Sequence, residues 1–86
     1  MSRFEKLLGR FFSRPKDFSF DELRMLLSGF GYRELKGGRT SGSRVAFFHP
    51  GTKHIIRLHR PHPTAILKSY QLVEIERTLR VAGVIP

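Results

Sequence analysis

The spacing of apolar positions changes period twice along the chain. Phe4, Leu7, Leu8, Phe11 and Phe12 recur at i, i+3, i+4, i+7 and i+8, which predicts one apolar helical stripe. Arg3, Lys6, Arg10 and Arg14 decorate the remainder. Pro15 places the helix end at about Arg14, because proline disfavours helix in the residue before it. A helix of this kind is expected to dock on the core or on a partner, in preference to a membrane surface. A second helix starts in "FSFDEL". Ser19 with Glu22 forms an S-x-x-E capping box, and Phe18 is placed to staple onto Leu23. Asp21 and Glu22 suit the positive helix end. Its buried stripe is Phe20, Leu23, Leu26 and Leu27, and Gly29 and Gly31 stop it.

Beyond Gly31 the pattern turns to alternation. Residues 32–36 read as a short strand broken by Gly37-Gly38, residues 43–48 as a second strand and 54–59 as a third, with a Pro50-Gly51 turn between the last two. If the hairpin keeps its parity, Val45, Phe47, Ile56 and Leu58 share one face. Arg44, Ala46, Phe48, Ile55, Arg57 and His59 then occupy the other. A proline-punctuated loop follows. Ser69 is the expected cap of a last helix with the stripe Leu72, Ile75 and Leu79; Gly83 ends it, and Val84 and Ile85 fold back. The order helix, helix, three strands, helix predicts a small two-layer α+β domain spanning residues 1–86, with an amphipathic helix at 1–14 and a core at 18–86.

Charge changes this picture from a generic fold to a polyanion binder. The 86 residues carry a formal net charge of +9, and eleven of the sixteen basic side chains are arginine. Arginine offers a planar fork for phosphate and a face that stacks on bases, so nucleic acid is the leading partner class. The chain has no cysteine, which excludes disulfides and cysteine-based zinc sites and fits a reducing compartment. No apolar run approaches the roughly 20 residues of a membrane span, and no secretory signal is read at the N-terminus. The expected location is cytoplasmic, and no cofactor is expected.

The stretch "GGRTSGSRVAFFHP" at 37–50 mimics a phosphate-binding loop but fails as one. Ser43-Arg44 stands where a Lys-Ser/Thr pair is required, and no parallel βα unit follows. What remains is a hairpin tip whose backbone donors and hydroxyls (Ser41, Ser43), flanked by Lys36, Arg39 and Arg44, suit an RNA backbone phosphate. Of the four histidines, His49 is expected at the surface beside Pro50, and His54 is expected to lean toward the core face. His59 and His62 flank Arg60-Pro61 with no nearby carboxylate, so no metal site is expected. His59 closes a strand on the side of Arg44 and Arg57 and abuts Arg60. A base beside phosphate-binding arginines is what metal-free RNA cleavage requires: the 2′-hydroxyl loses its proton and attacks phosphorus, while arginines stabilise the anionic transition state. The other reading of His59 is a surface group that contributes only to binding.

The stretches "LLSGFGYRELKGGRTSGSRVAFFHP", "HIIRLHRPHP" and "LRVAGVI" resemble the HicA toxin family of prokaryotic toxin–antitoxin systems, over roughly residues 20–86. The resemblance implies a double-stranded-RNA-binding-domain-like fold, an endoribonuclease acting on messenger RNA (an mRNA interferase), and silencing by a HicB-like antitoxin. Family members carry Gly-Ser-His where this chain has Gly42-Ser43-Arg44, and that histidine is taken as catalytic. Arginine stays protonated and does not serve as a general base. The expected catalytic set is therefore His59 or His62 for proton transfer with Arg44 on the phosphate. Lys36, Arg39, Ser41, Ser43, Arg57 and Arg60 are expected to bind RNA. The alternative is a non-catalytic RNA-binding module of the same fold, or a role in a DNA-bound repressor through the antitoxin.

Overall fold

In the computed structural model, residues 2–35, 44–61 and 64–86 are described. Helix α1 (Arg3–Phe12) and helix α2 (Phe20–Gly29) precede strands β1 (Arg33–Leu35), β2 (Arg44–Phe48) and β3 (Ile55–His59), and helix α3 (Ser69–Val81) closes the chain. The sheet is antiparallel with strand order β1-β2-β3. This is the expected α-β-β-β-α arrangement with an added N-terminal helix.

Each helix forms and stops for a local reason. Helix α1 starts at Ser2, whose hydroxyl accepts the Glu5 N–H. It ends two residues short of the expected Arg14. Pro15 bars Arg14 from right-handed helix, so Arg14 takes φ +49° and Ser13 becomes the cap. The capping box of α2 is formed in both directions: the Ser19 Oγ accepts from the Glu22 N–H and the Glu22 carboxylate accepts from the Ser19 N–H. Ser69 is not the cap of α3. Lys68 holds the extended cap conformation one residue earlier, because Gln71 at the third helical position reaches back to accept the Lys68 N–H at 3.0 Å. At the far end Gly83 adopts φ +78°, and the Val84 N–H returns to the Leu79 carbonyl, so Ile85 re-enters the core.

The core joins all three helices to one sheet face. It contains Phe11 of α1, the whole α2 stripe, Phe47 and Ile56 of the sheet, and Leu72, Ile75 and Leu79 of α3. Helix α1 is part of this core. Phe11 is fully buried, with its ring 5.7 Å from that of Phe18, and Phe4 meets Phe30 edge-on at 5.1 Å. Ion pairs tie the same layers together: Arg10 donates to Glu22 and Asp17, and Arg14 bridges to Glu76. The helical layer therefore covers one side of the sheet and leaves the other side open.

Candidate nucleic-acid interface

The β2–β3 register pairs Arg44 with His59, Val45 with Leu58, Ala46 with Arg57, Phe47 with Ile56 and Phe48 with Ile55. Directly opposed residues share a face, so the parity expected from the sequence holds. Phe47 and Ile56 are buried under the helices, while Arg44, Arg57 and His59 are exposed on the open side. Strand β1 adds Arg33, opposite Phe48, and Leu35, opposite Ala46, to that side. The sequence did not single out Arg33, since its face depends on the β1–β2 register. The open face thus has an apolar middle of Leu35, Ala46, Phe48 and Ile55, with Arg33, Arg44 and Arg57 around it. Lys53 lies over the Phe48 ring at 6.0 Å.

Ion pairing sorts the arginines into two groups. On the helical side Arg10, Arg14, Arg24, Arg77 and Arg80 all pair with carboxylates. Hydrogen bonds from Arg10 hold the Glu22 carboxyl below its ordinary range, and Arg77 does the same to Glu74. Glu34 is the one carboxylate among the described strand residues, and it points to the helical layer, where Arg24 meets it at 2.8 Å. Among the described residues, Arg33, Arg44 and Arg57 have no carboxylate partner. The open sheet face therefore carries positive charge that no neighbouring carboxylate cancels, while Arg3 on α1 and Arg60 after β3 also lack a carboxylate partner among the described residues.

The structure brings together only part of the expected site. Arg44 and His59 face each other across β2 and β3, with Arg57 beside them. Arg60 turns to the other side of the sheet, with its guanidinium over the Phe20 ring at 5.0 Å. Lys36, Arg39, Ser41, Ser43 and His62 lie outside the described residues.

The other two histidines are built into the fold. His49, expected at the surface, is half-buried. Its Nδ1 accepts the N–H groups of Gly51 and Thr52 at 3.1 and 3.2 Å, which puts the proton on Nε2 to donate to the Phe30 carbonyl at 3.1 Å. One imidazole thereby ties the β2–β3 turn to the end of α2. A Cβ on Gly31 would sit 2.9 Å from His49 Nε2, and Gly31 also has φ +101°, so the ring and the glycine require each other. His54 stands with Nδ1 2.6 Å from the hydroxyl of buried Tyr32, and burial pushes the Tyr32 phenol up from its ordinary value.

A family model described as HicA toxin of bacterial toxin–antitoxin matches residues 20–84. The chain belongs to the HicA toxin family. No curated protein and no solved structure matches it. Membership makes this a toxin of a toxin–antitoxin system, with an antitoxin partner implied. Helix α1 lies outside the matched residues, yet it supplies Phe11 to the HicA core. Arg44 sits at the start of β2 on the open face. No helix among the described residues is long and apolar enough to cross a membrane.

Proposed function

We propose that this HicA-family chain binds messenger RNA on its open sheet face and cleaves it without a metal, with His59 as general base and Arg44 on the scissile phosphate. The observation that carries this reading is the cross-strand pair Arg44–His59 on a face where Arg33, Arg44 and Arg57 have no carboxylate partner among the described residues. In the reaction the imidazole takes the 2′-hydroxyl proton, the 2′-oxygen bonds to phosphorus, and the bond from phosphorus to the 5′-oxygen breaks. The 5′-oxygen leaves as a hydroxyl after taking a proton, for which His62 is the nearest candidate along the chain. Arg44 stabilises charge on the non-bridging oxygens. It replaces the family's histidine in position while its neighbour across the sheet takes over the proton chemistry. A HicB-like antitoxin would silence the protein by covering this face, and Arg39, Lys36 and the hydroxyls of Ser41 and Ser43 would extend the phosphate contacts.

The test is incubation of the purified protein with RNA in EDTA, followed by analysis of the product ends. Products with 2′,3′-cyclic phosphate and 5′-hydroxyl ends are expected. His59→Ala should lower the rate by about 10²–10⁴-fold with little change in RNA affinity, and Arg44→Ala should lower both. Cleavage that disappears in EDTA and returns with magnesium overturns the mechanism. RNA binding without any cleavage leaves the non-catalytic module as the correct reading.

A further inference from the structure

We infer that a cleft beside His59, separate from the open sheet face, holds one nucleotide of a single-stranded RNA, its base on Tyr70 and its phosphate between Arg60 and Lys68. This rests on the RNA-binding reading above and adds where a base is gripped. The cleft has a volume of about 220 Å³ and is lined by His59, Arg60, Thr64, Lys68, Tyr70 and Gln71 among others. That is less than the roughly 300–1,000 Å³ of sites that enclose a whole drug-sized ligand, and it suits a single base on an open platform.

Three features of the lining select this ligand. Tyr70 is 69% exposed, the most exposed aromatic ring among the described residues, and stands off the buried stripe of α3. Bases stack on such rings regardless of sequence. Arg60 and Lys68 bring two cations, and the lining contains no carboxylate. The Gln71 Oε1 is occupied by the Lys68 N–H, which fixes the amide so that its NH2 remains a donor toward the acceptors on a base edge.

The walls of the cleft are held in place before any ligand arrives. The Phe20 N–H donates to the Ala65 carbonyl and the Leu67 N–H to the Phe18 carbonyl, both at 2.8 Å, and Ser19 bridges to Ile66. Phe20 in turn lies under Arg60. The residue after β3 and the segment leading into α3 are thus both held against the start of α2. His59 ends the open face at the same point where it lines the cleft. An RNA strand crossing that edge would place a scissile phosphate near His59 and the adjoining base on Tyr70.

The chain has no tryptophan and two tyrosines, and Tyr32 is buried, so Tyr70 is the solvent-facing reporter. The probe is a short single-stranded 2′-O-methyl oligoribonucleotide, which lacks the attacking hydroxyl and stays intact. Binding is read by anisotropy of a labelled copy, and stacking by tyrosine emission with an unlabelled one. Saturable quenching is expected in the wild type and in Tyr32→Phe, and none in Tyr70→Phe. Tyr70→Phe should bind with near wild-type affinity, and Tyr70→Ala about 5- to 100-fold more weakly. Circular dichroism checks that each variant is folded. Binding with unchanged tyrosine emission, or wild-type affinity in Tyr70→Ala, overturns the cleft. Absence of any binding overturns both the cleft and the RNA reading. Quenching and weakened Tyr70→Ala binding in a protein that never cuts RNA uphold the cleft and overturn only the nuclease.

Discussion

The ring of Phe4 occupies the space that a side chain on Gly29 would take: a Cβ built there falls 2.3 Å from Phe4 Cδ1 and Cε1. Gly29 is the last residue of α2, and Phe4 lies in the first turn of α1, so a missing methyl group lets the two helices meet. In a free helix, Gly→Ala gains up to about 1 kcal/mol. Here the clash should win, and Gly29→Ala should destabilise the protein by about 1–2 kcal/mol, as overpacking does. In a Phe4→Ala background the same change should be neutral or stabilising. Additive effects in a double-mutant cycle of urea unfolding would show that the contact does not matter.

Removal of residues 1–14 should cost far more than a surface helix would. It deletes Phe11, which is fully buried, and both partners that Arg10 and Arg14 give to Glu22 and Glu76. Loss of a buried phenylalanine alone costs about 3–5 kcal/mol, a large share of what a small domain has. A truncated protein spanning the family-matched residues is expected to lose its cooperative thermal transition. An unchanged transition would mean that α1 is an appendage.

Most of this architecture was legible because binary patterning and turn chemistry agree. The α2 stripe, the strand parity and the fold-back of Ile85 all follow from spacing that admits one arrangement. Ser69 and His49 were misplaced for a different reason. Cap choice between Lys68 and Ser69 depends on where the Gln71 side chain reaches, and the burial of His49 depends on a carbonyl 19 residues away. Arg60 follows strand alternation to the helical side, but the Phe20 ring that receives it comes from a distant segment. Tyr70 carried no signal beyond falling outside an apolar stripe.

Acid should weaken the clamp between α1 and α2. Glu22 accepts hydrogen bonds from Arg10, which lower its pKa from the ordinary value of 4.5. A depressed carboxylate contributes stability that is fully present above its unfolded pKa and is lost as pH falls through the folded one. The contribution should therefore hold at neutral pH and fade below about 4.5. Glu22→Gln should be less stable than wild type at pH 7, and the gap should close toward pH 3. A gap that stays constant with pH would remove the Arg10–Glu22 pair as its cause.

His49 and His59 should respond to alanine in opposite ways. His49→Ala strands the Phe30 carbonyl and two turn N–H groups, and unsatisfied groups of this kind cost about 1–3 kcal/mol each where buried. A lowered thermal midpoint with RNA cleavage intact at low temperature is expected. His59→Ala should lower the midpoint less than His49→Ala does, because the side chain is exposed. Loss of cleavage in folded His49→Ala would move the chemistry to the turn.

Salt dependence separates the two groups of arginines. Each phosphate contact on a single strand contributes about −0.7 to the slope of log K against log salt, because counterions are released. Arg57 is exposed on the open face opposite Ala46, and no carboxylate among the described residues neutralises it. Arg77 carries the same formal charge but is paired with Glu74 on α3. If net charge alone drew RNA to the protein, Arg57→Ala and Arg77→Ala would weaken binding alike. If the open face makes the contacts, Arg57→Ala should weaken binding and make the slope shallower by about 0.7, while Arg77→Ala leaves the slope unchanged. Measuring RNA affinity for both variants between low and physiological salt decides between them. Equal slopes for the two variants would mean that the open sheet face is not where RNA binds.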